Sequence, residues 1–173
     1  MRPEILRRLV VYGVLIWILV TASCSFFANL TDLPATPDLL LCAVAAIALL
    51  DSRRSAAIVG IVGGFCLDAL GGIGAATSPI LYLLVVLLVG SFAEKALGSF
   101  WAWLVLMVPT LLLRALFTTL SVLLRTGGVS FSLLLRQILL PETAMTLLLG
   151  IPVYFICSLC MLLLRDRRER SLR

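Results

Sequence analysis

Histidine does not occur in the 173-residue chain, and charged residues make up only 13% of it. Histidine is the usual proton shuttle and metal ligand near neutral pH, so its absence excludes many catalytic and metal-binding designs. A water-soluble domain has about a quarter charged residues. This chain has half that share and is 62% hydrophobic, which is more apolar surface than a fold in water could bury. The composition therefore predicts a polytopic membrane protein.

The five cysteines all lie in apolar stretches, and only Cys157 and Cys160 have CxxC spacing. A zinc or redox site would need a second pair or a polar context, and the sequence has neither. Buried membrane cysteines are therefore the preferred interpretation, and no metal or other cofactor is predicted. An intramembrane enzyme is also disfavoured, because the chain lacks HExxH-like spacing and a paired-aspartate motif.

Apolar segments recur along the whole chain, and we interpret them as one membrane domain, residues 1–173. The predicted fold is an all-α bundle with six transmembrane helices at about 9–27, 38–51, 55–70, 79–93, 100–124 and 142–164. A further helix at 131–140 is too short to span and is predicted to lie in the membrane interface. The box Thr21-Ala-Ser-Cys24 resembles a lipoprotein cleavage site. However, the apolar run continues to Phe27 and is long for a signal peptide, so a retained span is preferred.

The basic residues predict the topology. The net charge is +5, but most arginines flank apolar segments, which is typical of topology signals and not of a nucleic-acid surface. With six spans, eleven of the 14 lysines and arginines lie on the side of both termini, which predicts that both termini are cytoplasmic. The segment 38–51 is short enough to be re-entrant. The return of Arg53 and Arg54 to the side of the N-terminus favours a spanning helix.

The third predicted span carries a stripe of small residues. Ala56, Gly60, Gly64 and Asp68 recur every four residues and so share one helix face. A face with almost no side chains suits close helix contact, and packing within the chain is favoured over a dimer interface.

Asp68 and Arg114 are the charges predicted to lie deepest in the membrane. At 1.5 Å per residue, both are roughly 20 Å from the cytoplasmic boundary. One hypothesis is that they pair between the third and fifth spans, which lowers the cost of burying each. The alternative is that Asp68 faces the outer water layer and Arg114 extends its side chain outward. Glu142 is expected to be a helix N-terminal carboxylate near the outer surface.

Several short motifs fall at the ends of the predicted spans. Pro37 and Asp38 open a short helix, Gly-Gly-x-x-x-Asp68 ends the third span, Tyr82 lies early in the fourth, and Pro141 begins the last. Together with the length and the six-span hydropathy, these motifs resemble the rod shape-determining protein MreD family along nearly the whole chain. The Pro-Asp and Gly-Gly-x-x-x-Asp elements are the most specific. Glu142, the acid directly after Pro141, and the arginine-rich tail depart from the family pattern.

The resemblance implies a non-enzymatic inner-membrane scaffold of the bacterial cell-elongation complex. Its expected partners are MreC, the MreB filament, the glycosyltransferase–transpeptidase pair that extends peptidoglycan, and the lipid bilayer. The family is also similar in fold to the substrate-binding subunits of energy-coupling vitamin transporters, so the alternative is a small-molecule binding subunit. That alternative needs polar and aromatic residues around an outward pocket, whereas segments 29–38 and 71–78 are short and rich in small residues or proline.

From the sequence we predict no catalytic, cofactor-binding or metal-binding residue. We expect a role in helix packing or in a partner interface for Gly60, Gly64, Asp68 and Arg114. We expect a structural role, implied by the family resemblance, for Pro37, Asp38, Tyr82 and Pro141.

Overall fold

The computed structural model describes residues 3–26, 37–70, 77–93, 99–126, 135 and 139–170. Its helices are α1 (Pro3–Thr21), α2 (Leu39–Leu50), α3 (Arg53–Leu70), α4 (Thr77–Ala93), α5 (Phe100–Thr126) and α6 (Leu140–Arg170). A π-helical turn, Ala22–Phe26, continues α1. The predicted all-helical fold is confirmed for the described part of the chain, and each of the six predicted segments overlaps one of these helices. The interfacial helix predicted at 131–140 lies almost entirely outside the described residues.

Two of these helices are long and apolar enough to cross a membrane. They contain the stretches Phe100–Leu124, with 25 residues, and Leu140–Leu162, with 23 residues. The apolar stretches Val10–Cys24, Leu39–Leu50 and Thr77–Ala93 are shorter. The last helix extends beyond its predicted end at residue 164: α6 continues into the basic tail as far as Arg170.

The short helix α2 lies at the centre of the bundle. Every residue from Leu39 to Leu49 is buried, and the helix contacts α1, α3, α4, α5 and α6. Its sequence is apolar on all sides, as a helix surrounded by other helices requires. Asp38 caps its N-terminus by accepting a hydrogen bond from the Leu41 N–H at 3.0 Å, and its carboxylate lies at the positive end of the helix dipole.

Contacts near the helix ends show that the helices alternate in direction. The Asp38 N–H donates to Thr146 Oγ1, early in α6, at 3.2 Å. At the other end of α2, the Tyr12 hydroxyl contacts both Asp51 and Met161, late in α6. Therefore α2 and α6 run in the same direction, and α1 begins where α6 finishes. We call the end with Asp38 and Thr146 the outer end, and the end with Asp51 and Met161 the inner end.

The glycine stripe of α3 lies against α2 and α4 of the same chain. A Cβ atom on Gly60 would lie 3.0 Å from the Tyr82 Cβ, and one on Gly64 would lie 2.8 Å from the Pro79 backbone nitrogen. Close contact between α3 and α4 therefore depends on the absence of a side chain at Gly60 and at Gly64. The structure thus places Gly60 and Gly64 in packing within the chain, and it brings Tyr82 to the surface of α3.

Candidate functional site: a buried ion network at the outer end

Arg114 of α5 lies between carboxylates from two other helices. Its Nη1 is 2.6 Å from Asp38 Oδ2, directly before α2. Its Nε donates to Glu142 Oε1, in the first turn of α6, at 3.0 Å. The planar guanidinium presents donors along several edges, so one side chain joins three helices, a geometry that a lysine ammonium does not reproduce.

Tyr82 brings a fourth helix, α4, to the same place. Its hydroxyl oxygen lies 3.0 and 3.1 Å from the two carboxylate oxygens of Asp38. A phenol has one proton, so it donates to one of these oxygens at a time. Asp38 also accepts the Leu41 N–H and donates its own N–H to Thr146. We call Asp38, Tyr82, Arg114, Glu142 and Thr146 the outer-end network.

Burial makes these contacts energetically important. Asp38 is 4% exposed and Glu142 is 8% exposed. Burying a carboxylate without a partner costs several kcal/mol, so each of these groups depends on Arg114. The network holds two carboxylates and one guanidinium, and therefore a formal excess of negative charge. The positive ends of the α2 and α6 dipoles meet at this position and offset part of that excess.

Asp68 belongs to a neighbouring contact and does not pair with Arg114. It accepts hydrogen bonds from the Ser78 N–H at 3.2 Å and the Ser78 hydroxyl at 2.5 Å. This contact ties the end of α3 to the start of α4 and buries Asp68 to 5% exposure. Both hypotheses for these charges are therefore wrong: Asp68 is buried against Ser78, and Arg114 is bound by Asp38 and Glu142. The equal depth of Asp68 and Arg114 predicts that they lie at one level of the bundle. It does not predict which helices are adjacent at that level.

The partners of Arg114 were missed in the sequence analysis, although a signal for them exists. Asp38 and Glu142 each follow a proline at the outer start of a helix, at Pro37 and Pro141. Two helices that start at the same end with the same Pro-acid pair bring their acids to one level. An arginine at that level inside the apolar stretch of α5 can then pair with both acids.

A second polar cluster lies at the inner end. The Tyr12 hydroxyl donates to Asp51 Oδ2 at 2.7 Å, and Arg8 Nη1 lies 3.4 Å from Asp51 Oδ1. Asp51 caps the C-terminus of α2, where the helix dipole disfavours a carboxylate. These contacts from α1 offset that unfavourable position, so α1 and α2 are coupled at the inner end.

The outer-end network holds four helices together through contacts among its own side chains. Its acid, phenol and guanidinium groups bind one another, and they fix the outer parts of α2, α4, α5 and α6. Within the described part of the chain, acidic residues and cysteines do not form a group of three or more that could hold a metal ion. Comparisons of the chain with protein-family models, with curated proteins and with solved structures find no match.

Proposed function

We propose that this protein is a non-enzymatic scaffold of the bacterial cell-elongation complex in the inner membrane. It binds MreC and thereby helps to maintain cell shape and lateral peptidoglycan synthesis. MreB and the glycosyltransferase–transpeptidase pair are the further partners. The observation that carries the proposal is that Asp38 and Tyr82, which supply part of the resemblance to the MreD family, bond to each other inside the outer-end network.

A six-span arrangement with cytoplasmic termini is part of the proposal. The alternating helix directions support it, because six alternating helices return the chain to the side on which it began. The Tyr12–Met161 contact brings the first and last helices together at the inner end. Arg8, Arg53 and Arg54 lie at or near this end of the described helices, in agreement with an inner end that faces the cytoplasm.

The geometry favours a scaffold over a small-molecule binding subunit. A binding subunit keeps convergent polar groups available to its ligand. In the outer-end network both carboxylate oxygens of Asp38 are bonded, the Tyr82 hydroxyl is bonded to Asp38, and Arg114 reaches two carboxylates. These groups hold helices in fixed relative positions, which gives a partner a rigid surface to bind.

The proposal is tested by depleting the protein in a rod-shaped bacterium that encodes it. We expect the cells to become round, and we expect MreC to co-purify with the tagged chain from solubilised membranes. Arg114→Leu should weaken co-purification in proportion to the loss of folded protein, whereas the exposed position Leu112→Ala should leave it unchanged. Cells that stay rod-shaped after complete depletion, with no MreC captured, would contradict the proposal. Uptake of a labelled vitamin that depends on the chain would support the transporter alternative instead.

A further inference from the structure

The outward apolar surface of α3 and α4 is short. The exposed large apolar side chains run from Ile58 to Leu70 on α3 and from Ile80 to Phe92 on α4. Each run covers about 18 Å along its helix. At the inner end, Arg53 and Arg54 are exposed on α3. At the outer end, the described part of α3 ends at Leu70 and that of α4 begins at Thr77. We call this surface the short face.

The outward apolar surface of α5 and α6 is much longer. Exposed apolar side chains run from Trp101 to Leu124 on α5 and from Leu140 to Leu162 on α6. These runs cover about 33 to 35 Å. We call this surface the long face. A bilayer has a hydrocarbon core of about 30 Å, so the long face reaches across it and the short face does not.

Tilting cannot remove this difference. A helix longer than the hydrocarbon core tilts until it fits, but tilting a short helix reduces its reach further. Over their described lengths, α3 with 18 residues and α4 with 17 residues extend only about 25 to 27 Å. A hydrocarbon core of ordinary thickness is therefore mismatched to the short face.

The central helix of the bundle is as short as the apolar runs of the short face. The central helix α2 has 12 residues and is about 18 Å long. Asp38 and Asp51 flank it, and each takes part in a polar cluster. In a bilayer of ordinary thickness both clusters would lie within the hydrocarbon region, where polar groups are costly. A thinner bilayer around this part of the bundle brings both clusters closer to water.

We propose that the short face thins the bilayer locally, while the long face contacts lipid of ordinary thickness. This inference rests on the multi-span membrane placement proposed above. The surface of α3 and α4 thus interacts with a shallow zone of lipid, and a one-sided thin zone favours neighbours whose own hydrophobic segments are short.

Nitroxide labels at matched positions test the proposal. In a background with the five cysteines replaced by alanine, one pair of single-cysteine variants is Ile58→Cys and Leu70→Cys on the short face. The control pair is Val108→Cys and Leu120→Cys on the long face, with the same spacing and all four positions exposed. In vesicles of a standard monounsaturated phosphatidylcholine, we expect several-fold more collision with a water-soluble nickel complex for the short-face pair. Equal shielding of the two pairs from nickel would overturn the proposal.

The same labels separate the other outcomes. Short-face labels that meet neither nickel nor lipid-dissolved oxygen would show that a second copy covers α3 and α4, which also overturns local thinning. If no pair meets lipid, the membrane placement itself fails. A measurement on the wild-type chain needs no substitution: its unfolding temperature should fall as the lipid chains are lengthened. A rise with chain length would contradict the proposal.

Discussion

At the scale of single residues, Asp38 has the largest number of roles in the outer-end network. Its carboxylate caps α2, pairs with Arg114 of α5 and accepts from Tyr82 of α4, and its backbone N–H reaches α6 through Thr146. A neutral residue could replace only some of these contacts. Asparagine would keep the cap but would remove the charge that compensates Arg114.

Removing Arg114 should be among the most damaging single changes. Arg114→Leu leaves Asp38 and Glu142 buried without their cation, which typically costs about 3–5 kcal/mol. We expect strongly reduced accumulation in the membrane and a lower unfolding temperature in detergent. Combining Arg114→Leu with Asp38→Asn and Glu142→Gln removes the unpaired charges and should recover part of the loss. A triple variant less stable than Arg114→Leu alone would contradict the pairing, and Leu112→Ala serves as the control.

At the scale of helices, the bundle depends on close contact between α3 and α4. Gly60 and Gly64 allow this contact on two successive turns of α3. At the outer end, the hydrogen bond from Ser78 to Asp68 joins the two helices. Glycine costs up to about 1 kcal/mol in a helix relative to alanine. Its use here is explained by the backbone and side-chain atoms of α4 that occupy the space of the missing Cβ.

The chain offers a matched pair of glycine substitutions. Gly64→Ala would place a Cβ 2.8 Å from the backbone nitrogen of Pro79, whereas a Cβ on Gly13 of α1 would meet nothing within 4 Å. The end of a flexible side chain could move away from the new Cβ, but the backbone of α4 cannot. We therefore expect Gly64→Ala to destabilise the protein by about 1–3 kcal/mol. Gly13→Ala should be neutral or stabilising by up to about 1 kcal/mol. Thermal unfolding of the two purified variants measures the difference, and equal effects would contradict the packing.

At the scale of the whole molecule, a short central helix is surrounded by longer ones and held by a polar cluster at each end. The outer-end network joins α2, α4, α5 and α6, and the contacts of Asp51 with Arg8 and Tyr12 join α1 to α2. Arg8 is 41% exposed in its side chain, so its ion pair contributes little, and most of the inner-end coupling comes from Tyr12.

The proposed topology has a direct test. Epitope tags at the two termini should both resist an external protease in intact spheroplasts and should both be cleaved after the membrane is opened. We expect this result because basic residues are in excess at the inner end, and segments rich in basic residues are retained on the cytoplasmic side. A periplasmic reporter protein fused in segment 29–36 serves as the control that is accessible from outside. Cleavage of only one terminal tag in intact spheroplasts would exclude an even number of spans.

The sequence alone is enough to predict where the helices lie, that the longest of them are apolar enough to cross a membrane, and that α3 has a face for close contact. These properties follow from local composition and helical periodicity, which do not depend on neighbours. The pairing of Arg114 with Asp38 and Glu142, and of Asp68 with Ser78, follows only from the way the helices pack. Depth along a helix is a one-dimensional quantity that the sequence supplies. The choice among several acids at a similar depth depends on which helices are adjacent, and the packing around α2 sets that adjacency.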